Sequence, residues 1–262
     1  MTGLSMGRPV RVRLAVSALC GVQFVDVLGV TSAITAIPSI VRGLAAPPEV
    51  TGLLATVYAA FFGGLLVLGS RLADRYGARR VLLVGIGLFT AVAVVAVTAQ
   101  EIVQLLVGIA LQGTAAALSV PAALRLLLHV ADEPDALRSG LAAWSATGAV
   151  AGVLGYIVGG LLTDTLGWRA IYAVNAPVGL ALLAAVAVLV PALPATERQR
   201  RLDLTGAALL IGAVMALIVG ASLLERAGLR WVGLGSVAAG ACWPPCCCST
   251  SLGSALSRRR SP

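Results

Sequence analysis

The feature of this sequence that most constrains its fold is a series of long apolar runs separated by short charged segments. The first seven runs are each close to the roughly 20 residues that a helix needs to cross a bilayer, and the eighth is about half as long. Because lipid offers an open backbone no hydrogen-bond partners, each spanning run is predicted to be an α-helix. The runs are Leu14–Ile40, Val50–Leu68, Val81–Ala99, Ile102–Leu124, Leu141–Thr163, Ala170–Pro194, Leu204–Leu224 and Trp231–Ala241.

The composition is that of an integral membrane protein and argues against a nucleic-acid partner. Only 11% of the residues are charged, whereas soluble domains carry about 25%. The net charge of +8 comes from arginines that lie between the apolar runs rather than along one face, a pattern that membrane topology explains. The first run continues to Ile40, past the apolar core of about 7–15 residues of a signal peptide, which predicts an uncleaved first span.

The distribution of arginine predicts the orientation in the membrane, because loops on the cytoplasmic side carry the excess of basic residues. One side receives twelve arginines: Arg8, Arg11, Arg13, Arg71, Arg75, Arg79, Arg80, Arg125, Arg138, Arg198, Arg200 and Arg201. The other side receives four: Arg42, Arg169, Arg226 and Arg230. The sequence therefore predicts a multi-pass protein of the cell membrane with a cytoplasmic N-terminus.

Asp26 is the clearest acidic residue inside an apolar run. A charge at the bilayer centre costs at least about 2.5–3.5 kcal/mol, so such a residue normally faces the interior of a bundle or a water path. Asp26 is therefore a candidate for accepting and releasing a proton, and Gln23 lies one turn earlier on the same side of the helix. The alternative is a structural carboxylate that bonds to a neighbouring helix.

A charged segment from Gly69 to Arg80 separates the second run from the third and is predicted to form a tight cytoplasmic turn. Its arginines could serve only to set the topology, but that role does not explain Asp74 before Arg75. Gly77 would permit a tight turn with positive φ. Within the chain, Asp74 is expected to form exposed ion pairs with the nearby arginines Arg75, Arg79, Arg80 or Arg138.

Two further patterns lie within the fourth and fifth runs. In the fourth, Gln112 stands among small residues, either as a polar cavity residue or as a hydrogen-bonding link between helices. In the fifth, four glycines at spacings of four, three and four share one helical face, which permits close approach of another helix. They are Gly148, Gly152, Gly155 and Gly159, and Gly160 follows directly.

Taken in order, these motifs resemble those of the major facilitator superfamily. The loop between its second and third helices is similar to Leu72, Ala73, Asp74, Arg75, Gly77, Arg79 and Arg80. A second motif resembles Leu111, Gln112, Gly113 and Ala115–Ala117, and an antiporter motif resembles Gly155, Gly159 and Gly160. The opening motif and the join between fifth and sixth spans of the fourteen-helix drug–proton antiporters are similar to Thr31, Pro38, Gly167, Trp168, Arg169, Asn175, Pro177 and Gly179.

The chain departs from these motifs at four positions. The family has a glycine, an acidic residue, an arginine and a proline at the places of Ser70, Gly29, Ile109 and Tyr156, respectively. Since the arginine of the fourth helix is implicated in proton transfer, its replacement by Ile109 leaves Asp26 as the main candidate for coupling.

The resemblance implies proton-coupled efflux of drugs or small metabolites, with a proton gradient and no cofactor. It implies a small-molecule substrate, predicted to be hydrophobic, whose path is lined by Asp26, Gln23 and Gln112. It also implies that Asp74, Arg75, Gly77, Arg79 and Arg80 form a conformational latch, in which the aspartate meets the N-terminal end of a helix in the second half. The alternative is a truncated membrane protein that does not transport, or a half-transporter that acts only by association.

The predicted fold is an all-α membrane protein, a six-helix transporter half followed by about two further helices. Residues 1–194 form the half, 195–202 a cytoplasmic linker, and 203–241 a helix pair whose second member is incomplete. Residues 242–262 read like a translated wrong frame and are predicted to be a disordered tail. Cys246–Cys248 lack the spacing of a zinc site, so no metal is expected. Since no paired carboxylates or nucleophile motif appear, no enzyme is expected.

Overall fold

The computed structural model describes residues 8–47, 50–131 and 133–190 of the chain. They lie in one of two compact units, Met1–Met215, while the other unit, Ala216–Pro262, lies outside the described residues. The predicted linker, helix pair and tail at 195–202, 203–241 and 242–262 lie outside them as well.

Six α-helices make up the described part of the chain, and all six are long and apolar enough to cross a membrane. This confirms the prediction of an all-α membrane fold for the first six runs. The helices are α1 (Arg8–Gly43), α2 (Val50–Tyr76), α3 (Ala78–Val97), α4 (Ile102–Val130), α5 (Pro134–Leu166) and α6 (Arg169–Leu189).

The predicted turn over Gly69–Arg80 is mostly helical, which corrects the sequence interpretation. Helix α2 runs on to Tyr76, and α3 begins at Ala78. Arginine and alanine are good helix formers, so the helix continues past the end of the apolar run. The bend is confined to Gly77, whose φ of 92° confirms the predicted positive φ.

Helix α6 ends at Leu189, before the predicted limit of its run at Pro194. Val190 already has extended backbone angles, φ −90° and ψ 122°. The ring of Pro191 disfavours helical geometry in the residue before it, which explains the early end.

The helices pack in a pattern that repeats after three helices. Helix α2 lies along α4, as α5 lies along α1. Helices α3 and α6 contact each other, and α1 contacts α4. The described chain is therefore two three-helix repeats, α1–α3 and α4–α6. Helices α1 and α4 make most of the contacts between the repeats, and α3 and α6 add a direct contact of their own.

Glycines allow the closest of these contacts. A Cβ at Gly69 of α2 would overlap the backbone carbonyl of Ala117 on α4. A Cβ at Gly113 of α4 would lie 2.6 Å from the carbonyl oxygen of Tyr58 on α2. Such spacing brings the two helix backbones together, as small residues do in membrane bundles.

Candidate functional site

Asp26 lies in the interior of the bundle, on the central helix α1, with 7% of its surface exposed. Its Oδ2 atom is buried and has no hydrogen-bond partner among the described residues. The Asp26 carboxyl interacts electrostatically with the phenol of Tyr58 on α2. No arginine of the described ranges pairs with Asp26, so a charge there is uncompensated.

Gln23 and Asp26 meet different neighbours, although they are one turn apart. The amide nitrogen Nε2 of Gln23 would lie 3.2 Å from a Cβ at Gly148, so Gln23 faces α5. Three residues rotate a helix by about 300°, which separates the two side chains by about 60°. The Oε1 atom of Gln23 is buried and, within the described chain, unpartnered. The structure therefore places Gln23 at the α1–α5 interface and Asp26 near α2.

Gln112 is buried on α4, at 5% exposure, inside the motif that packs against α2. Its neighbour Gly113 provides the close contact with the backbone of Tyr58. Tyr58 thus has Gly113 of α4 against its backbone and an electrostatic interaction with Asp26 of α1. In the described part of the chain no hydrogen bond joins Gln112 to Asp26.

The glycine face of α5 lies directly against α1. Gly148 faces Gln23, Gly152 faces Val27, and Gly155 faces Thr31. At Gly159 an added Cβ would lie 2.6 Å from the Cα of Ser32, which shows how closely the two helices approach. Gly160 has nothing within 4 Å of an added Cβ, so it lies outside this contact.

The hydroxyl groups of α1 at this interface bond to their own helix. Thr31 donates to the carbonyl of Val27 at 2.8 Å, and Ser32 donates to that of Leu28 at 2.7 Å. Their donors are therefore satisfied inside α1, and the interface with α5 is held by packing.

Asp74 forms an ion pair with Arg125 of α4. This corrects the expectation that it pairs with Arg75, Arg79, Arg80 or Arg138. The reason is the packing of α2 along α4, which brings the last turns of α4 beside the last turn of α2. Both side chains stay partly exposed, at 33% for Arg125 and 44% for Asp74.

The arginines of the predicted latch, Arg75, Arg79 and Arg80, have separate neighbours. The guanidinium of Arg75 lies 5.6 Å from the centre of the Tyr76 ring. Arg79 donates a hydrogen bond to the backbone carbonyl of Ala187 on α6. Arg80 is exposed. The segment Gly69–Arg80 therefore contacts α4 through Asp74 and α6 through Arg79.

Sequence reasoning missed the pairing of Arg125 with Asp74 and two polar side chains in the bundle, Tyr58 and Tyr172. The hydroxyl of Tyr172 on α6 is buried without a partner among the described residues. Asn175, one turn on, is 3% exposed, and its Nδ2 would lie 3.6 Å from a Cβ at Gly29. A polar side chain inside an apolar run was the available signal for the tyrosines, whereas only the packing of α2 on α4 reveals Arg125.

The sequence profile described as the Major Facilitator Superfamily matches residues 19–203. The chain belongs to the major facilitator superfamily. This confirms the resemblance drawn from the motifs, and the two three-helix repeats agree with the repeats inside each half of such transporters.

Relatives in this superfamily are similar over most of the chain. The uncharacterized MFS-type transporter EfpA of Mycobacterium tuberculosis is 33% identical over 85% of this chain and 42% of its own length. The puromycin resistance protein pur8 of Streptomyces alboniger is 37% identical over 75% and 39%. The cephamycin export protein CmcT of Amycolatopsis lactamdurans is 32% identical over 85% and 46%. The chain thus spans less than half the length of these relatives.

A solved transporter structure supports the fold. The crystal structure of the peptide transporter POT (E310Q mutant) in complex with sulfate matches with a TM-score of 0.63 over 84% of this chain and 50% of that one. At 15% identity this likeness concerns the fold alone.

Proposed function

We propose that this chain forms one six-helix half of an exporter that moves drugs or other small hydrophobic molecules out of the cell in exchange for protons. Substrate sites in this superfamily lie near mid-membrane between two such halves. The names of the relatives support export: one is a puromycin resistance protein and another a cephamycin export protein. They favour this function over that of a membrane protein that does not transport.

The observation that carries the proposal is the isolated carboxyl of Asp26. It is buried at the centre of the bundle, lacks a cation among the described residues, and has a free Oδ2. Burying an ionisable group in that position costs free energy, so its presence there favours a role on a proton or substrate pathway. Asp26 would carry the exchanged proton, while Gln23 and Gln112 would provide polar groups along the path.

The proposal includes the orientation and the latch. The N-terminus lies in the cytoplasm, and the segment containing Gly77 faces the same side. There Asp74 alternates between its partner Arg125 and a helix N-terminus of the second half, which the partial exposure of both side chains permits. The assignment to the fourteen-helix drug–proton branch belongs to the same proposal.

The test is a chimera that supplies a second half. Residues 1–202 are joined to the corresponding remainder of the puromycin resistance protein and expressed in cells that lack their own exporters. The chimera is expected to lower accumulation of labelled puromycin severalfold, and an uncoupler of the proton gradient should abolish the difference.

Asp26→Asn removes the ionisable group but keeps the shape of the side chain. We expect this variant of the chimera to lose at least nine-tenths of the uncoupler-sensitive efflux at an unchanged level in the membrane. Asp135→Asn is the matched control, because Asp135 is an exposed acid in the first turn of α5 and should leave efflux intact. Full efflux by Asp26→Asn would exclude Asp26 as the proton carrier.

A further inference from the structure

The two three-helix repeats contain the same short pattern at the same structural position. Asp74, Gly77 and Arg79 have the spacing Asp-x-x-Gly-x-Arg, and Asp164, Gly167 and Arg169 have it again. In each repeat the glycine follows the second helix and has positive φ, 92° at Gly77 and 83° at Gly167. The arginine then lies in the first turn of the third helix, α3 or α6.

Each arginine reaches across to the other repeat. The Nη2 of Arg79, at the start of α3, donates to the carbonyl of Ala187 in the last turn of α6. The Nη2 of Arg169, at the start of α6, donates to the carbonyl of Ala99 just after the end of α3, at 2.8 Å. Because α3 and α6 are antiparallel neighbours, the two contacts lie at opposite ends of the pair.

These contacts are chemically equivalent. The carbonyl of Ala187 is among the last of its helix, which have no partner within the helix, and the carbonyl of Ala99 follows the end of α3 directly. Both therefore lie where a helix C-terminus carries partial negative charge. A guanidinium suits such a carbonyl, because it brings hydrogen-bond donors in a rigid fork and a permanent positive charge. The Arg169 guanidinium also lies 4.3 Å from the centre of the Trp168 ring, and this contact orients the guanidinium.

We propose that Arg79 and Arg169 are paired positioning residues that brace α3 and α6 against each other, one at each face of the membrane. The braces lock the repeats α1–α3 and α4–α6 into one rigid body. Rigid halves are what rocking motions in this superfamily require. This role is distinct from the latch, because each brace acts between described helices of one half and needs no second half.

Hydrogen–deuterium exchange of the full 262-residue chain in lipid nanodiscs tests the braces, with peptides read at both ends of α3 and α6. Arg169→Ala is expected to raise exchange at least fivefold at the end of α3, residues 95–99. Arg79→Ala should do the same at the end of α6, residues 185–190. Arg80→Ala is the matched control, because Arg80 is exposed beside Arg79 and should leave both ends unchanged.

The location of the effect separates a brace from general stabilisation. A brace predicts loosening of the helix end in the other repeat, with the middle of each helix still protected. Arg169→Lys, which keeps a charge and a donor, should restore part of the protection at residues 95–99. Unchanged exchange at both ends, or an equal rise in all six helices, would overturn the proposal. Should an alanine variant fail to insert, the Lys variant and Arg169→Gln are compared by the same criteria.

Discussion

Asp74 shows how packing selects the partner of a charged residue. Several arginines lie nearer to Asp74 in sequence, but its carboxylate pairs with Arg125 of α4 because α2 lies along α4. Both side chains remain partly exposed, and ion pairs of that kind contribute about 0–1 kcal/mol to stability. The pair is therefore weak enough for Asp74 to exchange Arg125 for another partner, as the proposed latch requires.

At the residue scale, Asp74→Asn is expected to lower the free energy of unfolding of this chain by less than about 1 kcal/mol. The measurement is unfolding by denaturant in detergent micelles. Gly77→Ala is the comparison, since it forces a φ of 92° on a residue with a side chain and should cost about 1–3 kcal/mol. A larger loss for Asp74→Asn than for Gly77→Ala would show that the ion pair is a main support of the fold.

The individual helices were largely predictable from the sequence, whereas the contacts between them were not. The apolar runs predicted all six described helices, because hydropathy records which segments lie in lipid. They did not predict that α2 continues from Leu68 to Tyr76, since the helical backbone extends beyond the hydrocarbon. The glycine face of α5 was visible as a spacing, but only the structure identifies α1 as its partner. Likewise, the sequence indicated Asp26, whereas its neighbour Tyr58 on α2 depends on packing.

At the element scale, two glycines of α5, Gly155 and Gly160, should respond oppositely to substitution by alanine. A Cβ at Gly155 would overlap the side chain of Thr31 and lie 3.1 Å from the carbonyl oxygen of Leu28. Overpacking of this kind typically costs about 1–3 kcal/mol. Gly160→Ala meets nothing within 4 Å and should be neutral or stabilising by up to about 1 kcal/mol through helix propensity.

Thermal unfolding of the two variants in the same detergent provides the comparison. A lower melting temperature for Gly155→Ala, with Gly160→Ala at or above the unsubstituted chain, is the expected result. Equal melting temperatures would mean that α1 and α5 do not approach as closely as the structure has them.

On the scale of the whole molecule, the repeated three-helix pattern links the fold to the arrangement of charge. The two turns with positive φ, at Gly77 and Gly167, lie at opposite ends of the bundle. The end with Gly77 also contains Arg71, Arg75, Arg79 and Arg80, whereas the end with Gly167 contains Arg42 and Arg169. The fold is thus repeated while the charge is not, and this asymmetry in arginine predicts which end of the bundle faces the cytoplasm.

Labelling of single cysteines tests the resulting orientation, in a background where all five native cysteines are replaced by serine. Gln100→Cys lies in the exposed connection between α3 and α4, and Asp135→Cys lies in the exposed first turn of α5. Because the sequence predicts twelve arginines on the side of Asp135, that side is expected to face the cytoplasm. A membrane-impermeant maleimide should therefore label Gln100→Cys in intact cells and Asp135→Cys only after lysis. Both variants should react fully in lysed cells, which controls for access. Labelling of Asp135→Cys but not Gln100→Cys in intact cells would place the N-terminus outside and reverse the direction of the proposed transport path.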